Sequence, residues 1–388
     1  MSDLDTDVIV AGGGTVGLAA AAALAQAGFA VTLIERGPPP PAFAGGDVDP
    51  RVYALSPASI RLLQQLDVWP AIAAARHGPY HAMQVWHDVP ANALRFDATP
   101  GHTLGSIVEH GLLNAALWTQ VGDWQRLSRV QISEARCSED EGAEVTLTDG
   151  RRLRARLLVI ADGPDSPLRG QLGIDSLGWD YAQRALVAHV ATEKPHGGIA
   201  RQRFLPTGPL ALLPLADGRS SIVWSCDLAL AAELESLDAD AFRLRLGTAS
   251  QQVLGAITAT TPLKSFALRL KHVPAPVVSG AVVIGDAAHV VHPMAGQGVN
   301  LGLADAAALA EALASARAAG RGWWRARTLA SYARARQAET LEMLTMTDVL
   351  HRGFTRGGTT VARALGLGMQ WMNRAEPVKQ WLARRAQG

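Results

Sequence analysis

The chain has 388 residues, of which 48% are hydrophobic and 18% charged, a composition typical of a globular protein large enough to bury a sizeable cofactor. Its formal net charge of +1 gives no whole-chain reason to expect a nucleic-acid partner. Cys137 and Cys226 are the two cysteines and form no CxxC pair, which favours a reducing compartment over a disulfide framework. The acidic start, MSDLDTDVIV, does not resemble a signal peptide and indicates a cytoplasmic protein.

The first 35 residues predict a strand over residues 7–11, a helix over 16–27 and a strand over 31–35. Residues 8–34 carry no charge, so by length alone they would also fit one membrane-spanning helix. Glycines at positions 12, 13, 14 and 17 interrupt this apolar run, and Gly28 follows an alanine-rich helical pattern. A strand, turn, helix and strand account for these glycines, whereas a single long helix does not.

The turn after the first strand reads GGGTVG and contains a G-x-G-x-x-G pattern at Gly12, Gly14 and Gly17. The first glycine permits a tight turn, the second lets the backbone approach a pyrophosphate at the helix N-terminus, and the third allows helix and strand to pack closely. Glu35 ends the next strand, where its carboxylate can accept hydrogen bonds from ribose hydroxyls. The pattern therefore predicts a dinucleotide site, with a ligand-free glycine turn as the alternative.

A second motif, VIADGPDSPLR, follows a predicted buried strand over residues 157–161. Its polar positions are Asp162, Gly163, Ser166 and Arg169. Taken alone, these residues would also suit an Asp-Gly turn, a helix cap and a surface arginine. The residues themselves leave both interpretations open.

Residues 181–227 change to alternating apolar stretches with turn signals, YAQRALVAHVATEK, RQRFLPTGPLALLPL and SSIVWSCD, typical of an antiparallel meander. Another buried strand, AVVIG, then leads into a third motif, GDAAHVVHPMAGQGVNLG. Residues 299–316 show apolar side chains at helical spacing, with Asp305 and Glu311 outside the apolar stripe. The first domain is therefore predicted to be completed by sequence far downstream.

The polar residues of the third motif allow two kinds of site. Asp286, His289 and His292 could ligate a metal, but a metal would leave the neighbouring glycines unexplained. Pro293 also biases His292 away from helical geometry. The glycines lead into a helix whose free N–H groups can face an anion or a carbonyl. We therefore predict no metal here, and packing or supporting roles for the two histidines.

The C-terminal part of the chain is basic. Residues 317–388 contain 13 Arg plus Lys and 4 Asp plus Glu, and tryptophan occurs at positions 323, 324, 371 and 381. The pattern from residue 323 onward is helical, with an interruption at GFTRGG. Such a surface could favour an anionic membrane. The alternative is that the tryptophans pack against the first domain while the arginines are solvated.

The three motifs, in this order and spacing, resemble those of the flavin-dependent aromatic hydroxylases of the para-hydroxybenzoate hydroxylase type. The resemblance implies that the first motif holds the ADP part of FAD and that the second serves both FAD and the nicotinamide cofactor. It implies that the third motif brings an aspartate and a helix N-terminus to the flavin. The cofactor-binding residues it implies are Gly12, Gly14, Thr15, Val16, Gly17, Glu35, Arg36, Arg51, His110, Asp162, Gly163, Arg169, Asp286, Pro293, Gly296, Gly298, Val299 and Asn300.

Within that family, the chain is most similar to the FAD-dependent hydroxylases of ubiquinone biosynthesis. HPMAGQGVNLGLADAAALAEAL resembles their signature helix, and RQRFLPTGPLALLPL resembles a strand of their substrate sheet. DPRVYALSPASIRLLQQLDVW resembles the segment that carries a flavin-contacting arginine, here Arg51. His110 departs from the family pattern, because relatives usually have Asn, Gln or Arg near the flavin at this place, and Gly111 replaces a larger residue.

The resemblance implies an α/β fold with a Rossmann-like FAD-binding domain, a mixed or antiparallel-sheet substrate domain and C-terminal helices. The predicted ranges are 1–75, 100–178 and 275–322 for the FAD-binding domain, 76–99 and 179–274 for the substrate domain, and 323–388 for the C-terminal helical segment. The single dinucleotide pattern belongs to FAD, so NAD(P)H is expected to bind transiently. The reduced flavin would react with O₂ to give a C4a-hydroperoxyflavin, which hydroxylates the ring of a polyprenylated phenol. No catalytic base can be named from residue spacing.

Several partners and alternatives follow from this resemblance. A polyprenylated phenol is almost insoluble in water, so we expect peripheral contact with the inner face of a membrane or with a quinone-biosynthesis complex. Alternative activities are hydroxylation of another small aromatic compound and a non-catalytic flavoprotein subunit of such a complex. A halogenase or prenyl reductase is a further alternative, but the chain has no W-x-W-x-I-P or equivalent reductase motif.

Overall fold

The computed structural model describes residues 4–120, 124–291 and 297–355. The helices are α1 (Thr15–Gln26), α2 (Pro57–Gln65), α3 (Trp69–Ala75), α4 (His110–Gln120), α5 (Pro167–Gln171), α6 (Leu228–Ser236), α7 (Ala239–Ala249), α8 (Gln297–Ala318) and α9 (Ala326–Thr355). The strands are β1 (Val8–Ala11), β2 (Val31–Glu35), β3 (Val52–Leu55), β4 (Gly78–Tyr80), β5 (Ala82–Trp86), β6 (Leu94–Asp97), β7 (Gly105–Glu109), β8 (Gln125–Ser128), β9 (Ile132–Ser138), β10 (Gly142–Leu147), β11 (Arg152–Ala155), β12 (Leu157–Ile160), β13 (Leu177–Thr192), β14 (Ile199–Leu205), β15 (Gly208–Pro214), β16 (Ser220–Asp227), β17 (Ile257–Thr260), β18 (Lys264–His272), β19 (Val277–Val278), β20 (Ala281–Val283) and β21 (His289–Val290).

A mostly parallel sheet carries the three glycine-rich motifs. Its strand order is β19-β20-β12-β1-β2-β8, and only the edge strand β19 runs antiparallel to its neighbour. β1 lies between β12 and β2, so that Val8 is beside both Leu157 and Val31. The carboxyl ends of β1, β12 and β20 therefore meet at one edge of the sheet, where ligands bind in folds of this kind.

This parallel sheet is covered on both faces. Val8 and Val10 belong to a core formed with α1 and α8, whereas Ile9 and Ala11 face the three-stranded sheet β11-β10-β9. All four side chains are at most 3% exposed. Burial on both faces explains why the strand sequences are continuously apolar instead of alternating.

A second, larger sheet has the order β21-β18-β13-β16-β15-β14-β5-β6, with β17 paired to β13. Its outer face, including Leu186, Ile222 and Trp224, is covered by α6 and α7. Its inner face, including Ala211 and Leu213, packs against residues of β3 and β7. The sheet thus presents an apolar wall towards the parallel-sheet part of the molecule.

The fold confirms the predicted α/β class with C-terminal helices, and two details differ from the sequence prediction. Asp305, placed outside the apolar stripe of α8, is only 3% exposed, because α8 lies between α1, the third motif and α9. α9 continues through Gly353 to Thr355, so GFTRGG does not interrupt the helix before that residue. Residues 356–388, with Trp371 and Trp381, lie outside the described part of the chain.

The apolar stretch at residues 8–34 forms a strand, a helix and a strand, and does not form a membrane-spanning helix. Among the described residues, one other segment, Gly298–Ala318, has the length and composition to cross a bilayer, but 56% of its most apolar window is buried inside the protein. The segment belongs to α8, whose Leu303, Leu309 and Leu313 are fully buried. Core packing accounts for its apolar character.

Candidate cofactor and active site

The three glycines of the first motif have different surroundings. A Cβ on Gly12, whose φ is +108°, would lie 2.4 Å from the carbonyl oxygen of Ala161, and one on Gly17 would lie 1.9 Å from that of Gly12. A Cβ on Gly14 would meet no protein atom within 4 Å. Gly12 and Gly17 are therefore required for close packing between turn, helix and strand. The space at Gly14 is open, which suits a ligand that approaches the N-terminus of α1.

Glu35 has a structural role that the sequence did not reveal. One carboxylate oxygen accepts a hydrogen bond from the Gly13 N–H at 2.5 Å, and the other accepts from the Gly37 N–H at 2.6 Å. Each oxygen still has a lone pair, so a ribose hydroxyl can also be accepted. Glu35 and Arg36 line an open cleft, together with Gly12 and residues 130–132 and 162. Four of the predicted cofactor-binding residues, Gly12, Glu35, Arg36 and Asp162, thus line a common cleft.

The second motif lies beside this cleft. The Asp162 carboxyl has one buried oxygen, Oδ1, without a hydrogen-bond partner in the described chain, and burial raises its pKa. Gly163 has φ +98° and open space around its Cα. Arg169, in contrast, is buried, and its guanidinium donates to the carbonyl oxygens of Ala287 at 2.6 Å and Pro164 at 3.3 Å. Arg169 therefore joins the second motif to the third.

The third motif begins with a single 3₁₀ turn, Gly285–Ala287, directly after β20. Asp286 is at the centre of this turn, and its side chain is exposed. The surrounding protein nevertheless raises its pKa by desolvation, an effect that Arg51 opposes. Solvent access combined with strong desolvation is expected for a carboxylate that faces a deep recess. The contact between Asp286 and a cofactor stays a prediction.

Val16 connects the first and third motifs. A Cβ on Gly285 would lie 2.9 Å from Cγ1 of Val16, and one on Gly302 would lie 2.4 Å from its Cγ2. The Val16 side chain thus fills the space that the two glycines leave open. Its role at the site is to hold α1 against the Gly285 turn and α8.

Four side chains form a closed hydrogen-bonded ring behind the first motif. Thr15 Oγ1 donates to Asn114 Oδ1 at 2.6 Å, and Asn114 Nδ2 donates to His110 Nε2 at 3.1 Å. His110 Nδ1 is 2.9 Å from the hydroxyl of Tyr53, which also bonds Thr15. Because Nε2 must accept from an amide, Nδ1 carries the proton of a neutral imidazole. Burial and the nearby Arg51 lower the pKa of His110, in agreement with this neutral form.

His110 and Thr15 were both predicted to bind the cofactor, but the ring engages both nitrogens of His110 and the hydroxyl of Thr15. Arg51 lies next to the ring, with its guanidinium carbon 5.4 Å from the centroid of Tyr53. Asp49 accepts hydrogen bonds from the N–H groups of Arg51 and Gly111, which fixes the loop that carries Arg51. The ring therefore holds the wall of the recess in place.

The start of α8 supplies the remaining predicted residues. Gly298 has open space around its Cα apart from Val291 Cγ2 at 3.8 Å, and Val299 is buried. The Asn300 amide accepts hydrogen bonds from Ser56 N and Ser59 Oγ and donates to the carbonyl of Ala54. Its side chain thus ties α8 to the start of α2. Pro293 and Gly296 lie outside the described residues.

The site also contains residues that the sequence analysis missed. Tyr53 and Asn114 complete the hydrogen-bonded ring, and Asp305 and Arg336 form a buried ion pair beneath the third motif. A sequence signal existed only for Asp305, as an acidic residue within an otherwise apolar helix. Among the described residues no group of three or more possible metal ligands lies together. His289 is buried and bonds Asp305 at 2.6 Å.

The residues present fit FAD. The space at Gly14 is open to a ligand, the cleft beside Glu35 is also lined by Gly12 and Asp162, and the unpartnered oxygen of Asp162 can accept a hydrogen bond from a ligand hydroxyl. Asp286 follows β20 at the same edge of the sheet, and Arg51 is near enough to act on its pKa, so the rest of an extended dinucleotide would continue towards them. The two carboxylates that line this cleft, Glu35 and Asp162, are also chemically suited to hydroxyl donors.

Comparison with known proteins agrees with this site. Residues 5–347 match the FAD binding domain family. The chain is 35% identical over 394 aligned positions to 3-demethoxyubiquinol 3-hydroxylase of Escherichia coli strain K12, with all of both chains covered. It is 32% identical to the human mitochondrial ubiquinone biosynthesis monooxygenase COQ6, covering 98% of this chain and 92% of that protein.

Solved structures support the same fold. PqsL of Pseudomonas aeruginosa superimposes with a TM-score of 0.76 at 25% identity, covering 90% of this chain and 97% of PqsL. The p-nitrophenol 4-monooxygenase PnpA of Pseudomonas putida gives 0.77 at 18% identity, covering 100% of this chain and 99% of PnpA, a likeness of fold alone. The protein is thus a flavoprotein monooxygenase with FAD as its cofactor. It belongs to the FAD binding domain family and, within it, to the ubiquinone-biosynthesis hydroxylases.

Proposed function

We propose that the protein hydroxylates the aromatic ring of a polyprenylated phenol in ubiquinone biosynthesis, with O₂ as co-substrate and NAD(P)H as transient reductant. The observation that carries this proposal is sequence similarity along the whole chain, at 32–35% identity, to proteins named as ubiquinone hydroxylases or monooxygenases. A cleft lined by several of the predicted cofactor-binding residues supports it. The ring position and the prenyl length are left open by these observations.

The inner face of the large sheet supports an apolar aromatic substrate. Ala211, Leu213 and Val223 line this face opposite Ala54 and Ile107 of β3 and β7. Such a wall buries an aromatic ring by the hydrophobic effect, while a few polar groups fix its orientation. The same wall excludes water from the reacting centre.

Two of those polar groups are buried on the inner face of the sheet. His189 on β13 lies directly opposite Ser221 on β16, and both are at most 2% exposed. His189 Nε2 donates to the carbonyl of Asp49 at 3.0 Å, so its Nδ1 is an acceptor without a partner in the described chain. Through Asp49, His189 fixes the loop that carries Arg51. This link joins the substrate sheet to the cofactor side.

The cofactor supplies electrons and activates O₂ when bound and reduced, so the protein requires no nucleophile of its own. The chain's tasks are to bind, orient and shield. We assign pyrophosphate binding to the N-terminus of α1, adenosine binding to the cleft at Glu35 and Arg36, and support of negative charge on the flavin to the N-terminus of α8. Asp286 and Arg51 form the wall between them. The predicted division into domains remains part of this proposal.

The proposal is tested with the purified, FAD-loaded protein, NADH or NADPH, and a short-chain prenylated phenol. We expect nicotinamide oxidation to be stimulated by the phenol and the product to gain one oxygen atom by mass spectrometry. Substrate-independent nicotinamide oxidation without an oxygenated product would favour a non-catalytic flavoprotein subunit. Stimulation by simple phenols but not by prenylated ones would favour another small aromatic substrate. Identifying the precursor that accumulates without the protein would then fix the ring position.

Peripheral membrane contact is a further part of the proposal, and the structure limits which residues can make this contact. Trp323 is 7% exposed and packs edge-on against Phe29, with ring centroids 4.8 Å apart. The guanidinium of Arg156 lies over the ring of Trp324 at 4.9 Å. These two tryptophans therefore pack against the parallel-sheet core and are not displayed for a bilayer. Any direct membrane contact must therefore involve residues other than Trp323 and Trp324.

A further inference from the structure

A buried charged cluster lies beneath the third motif. The Asp305 carboxylate of α8 is 3% exposed and accepts three hydrogen bonds. Its Oδ2 accepts from the Gly285 N–H at 3.0 Å and from His289 Nε2 at 2.6 Å, and its Oδ1 accepts from Arg336 Nε at 2.8 Å. Arg336 belongs to α9, which follows α8 in the chain. One carboxylate therefore links α9 to the start of the turn that carries Asp286 and to His289, just beyond that turn.

The charges in this cluster support one another. Burial alone would raise the pKa of Asp305, but His289 and Arg336 outweigh that effect and lower it. Burial alone would likewise lower the pKa of His289, but the Asp305 carboxylate reverses the direction. The Asp305 carboxylate thus depends on its two partners, His289 and Arg336, to remain charged.

Stability alone does not explain such a cluster. Replacing a buried ion pair by apolar side chains of similar size is often neutral or even stabilising, so buried charges are best explained when they fix a particular arrangement. Here the arrangement is the Gly285–Ala287 turn, whose first N–H is held by Asp305 and whose last carbonyl is held by Arg169. Asp286 lies between these two held groups, and among the described residues no hydrogen bond holds its own exposed side chain.

We propose that Asp305 and Arg336 are positioning residues for the flavin: Asp305 holds the turn that presents Asp286, and Arg336 couples that turn to the docking of α9. The coupling works in both directions, because a helix that strengthens cofactor binding must be stabilised by the cofactor to the same extent. FAD occupancy is therefore transmitted to α9. The proposal rests on the assigned role of Asp286 at the flavin.

The test measures FAD affinity on the full-length apoprotein by flavin fluorescence quenching. Arg336→Met should raise the Kd for FAD about 10-fold or more, within the usual range of coupling between sites. Arg336→Lys, which keeps a cation near Asp305, should recover most of that affinity. Two controls are matched on the same helix. Arg334→Met removes an exposed arginine, and Glu339→Gln removes the other charged partner of Arg336, and both should leave the Kd within about 2-fold.

A second readout separates positioning from simple destabilisation. Hydrogen exchange of α9 amides between residues 329 and 343 should slow when FAD is added to the wild-type protein, and this protection should be lost in Arg336→Met. If that variant does not fold, Asp305→Asn replaces it, since an asparagine oxygen can still accept from Gly285 while the charge is removed. FAD-dependent protection is then expected to weaken in Asp305→Asn.

Three outcomes would overturn the proposal: an unchanged Kd in a folded Arg336→Met protein, an equal loss in Arg336→Lys, or α9 exchange that does not respond to FAD. A separate variant, Asp286→Ala, tests whether Asp286 itself binds the flavin. If Asp286→Ala leaves FAD affinity unchanged, the role of Asp286 is wrong. If Asp286→Ala weakens FAD while Arg336→Met does not, only the coupling is wrong.

Discussion

Substitution by alanine should have different effects on the stability of the apoprotein at Gly14 and at Gly17, three positions apart. A methyl group at Gly14 meets no protein atom within 4 Å, so Gly14→Ala should leave the apoprotein folded. The weaker N-cap costs about 0.5–1 kcal/mol, which the reduced entropy of the unfolded chain largely offsets. A methyl group at Gly17 would lie 1.9 Å from the Gly12 carbonyl oxygen, and ordinary contact begins near 3.4 Å. Because both sides of this contact are backbone, Gly17→Ala should destabilise the apoprotein by about 3 kcal/mol.

The effect on FAD distinguishes the two positions further. In Gly14→Ala the methyl group occupies the ligand side of the turn, so one charge-assisted N–H to phosphate bond is lost, worth about 1.5–3 kcal/mol or about 10–150-fold in Kd. Gly14→Val should abolish FAD retention. The assays are urea unfolding of the apoproteins and FAD titration by fluorescence quenching. Normal FAD affinity in Gly14→Val, or an apoprotein of Gly17→Ala as stable as the wild type, would refute this account of the motif.

Other predictions concern the third motif, pH and membranes. Asp286→Ala should raise the Kd for FAD about 10-fold or more in the same titration, because a charge-assisted contact is lost. An unchanged Kd would show that this contact contributes little to binding. Elemental analysis should find no stoichiometric zinc or iron in the wild-type protein, and either metal would revive the metal interpretation of this motif. Burial lowers the pKa of His189, His196 and His272 from 6.5, so below that pH the unfolded chain binds more protons than the folded protein. The free energy of unfolding, measured by urea titration, should therefore fall on acidification below pH 6.5. A rise would contradict the lowered pKa of these histidines. Co-sedimentation with anionic liposomes should exceed that with neutral ones at low salt and decline at high salt, whereas negligible binding to both would leave delivery by a partner protein.

The sequence predicted those features that depend on local pattern. The strand, turn, helix and strand at the N-terminus follow from apolar periodicity and from glycines that have no room for a side chain, and the structure places them within one or two residues of the prediction. The α/β fold, the FAD cofactor and the family are confirmed. The individual cofactor contacts and the domain boundaries stay predictions.

Features that depend on distant contacts were not predictable. Asn300 looked like a cofactor residue because it follows the glycines, but its amide bonds Ser56 and Ala54, more than 240 positions earlier. His110 looked unusual near a flavin, and only the fold shows that Asn114 and Tyr53 engage its ring. Side-chain direction on a helix cannot be read from local spacing when the partners come from other elements.

The order of strands in the parallel sheet also bears on how the chain folds during synthesis. β12 and β20 are neighbours, yet their paired residues Leu158 and Ala281 are 123 positions apart, and most of the large sheet is encoded between them. A nascent chain that ends before residue 281 therefore exposes an unpaired, apolar edge at β12, which is a template for wrong pairing. The strands of the intervening sheet emerge earlier and can pair meanwhile. Completion of the parallel sheet is consequently a late step, because β20 can pair with the edge of β12 only after the residues between them have been synthesised.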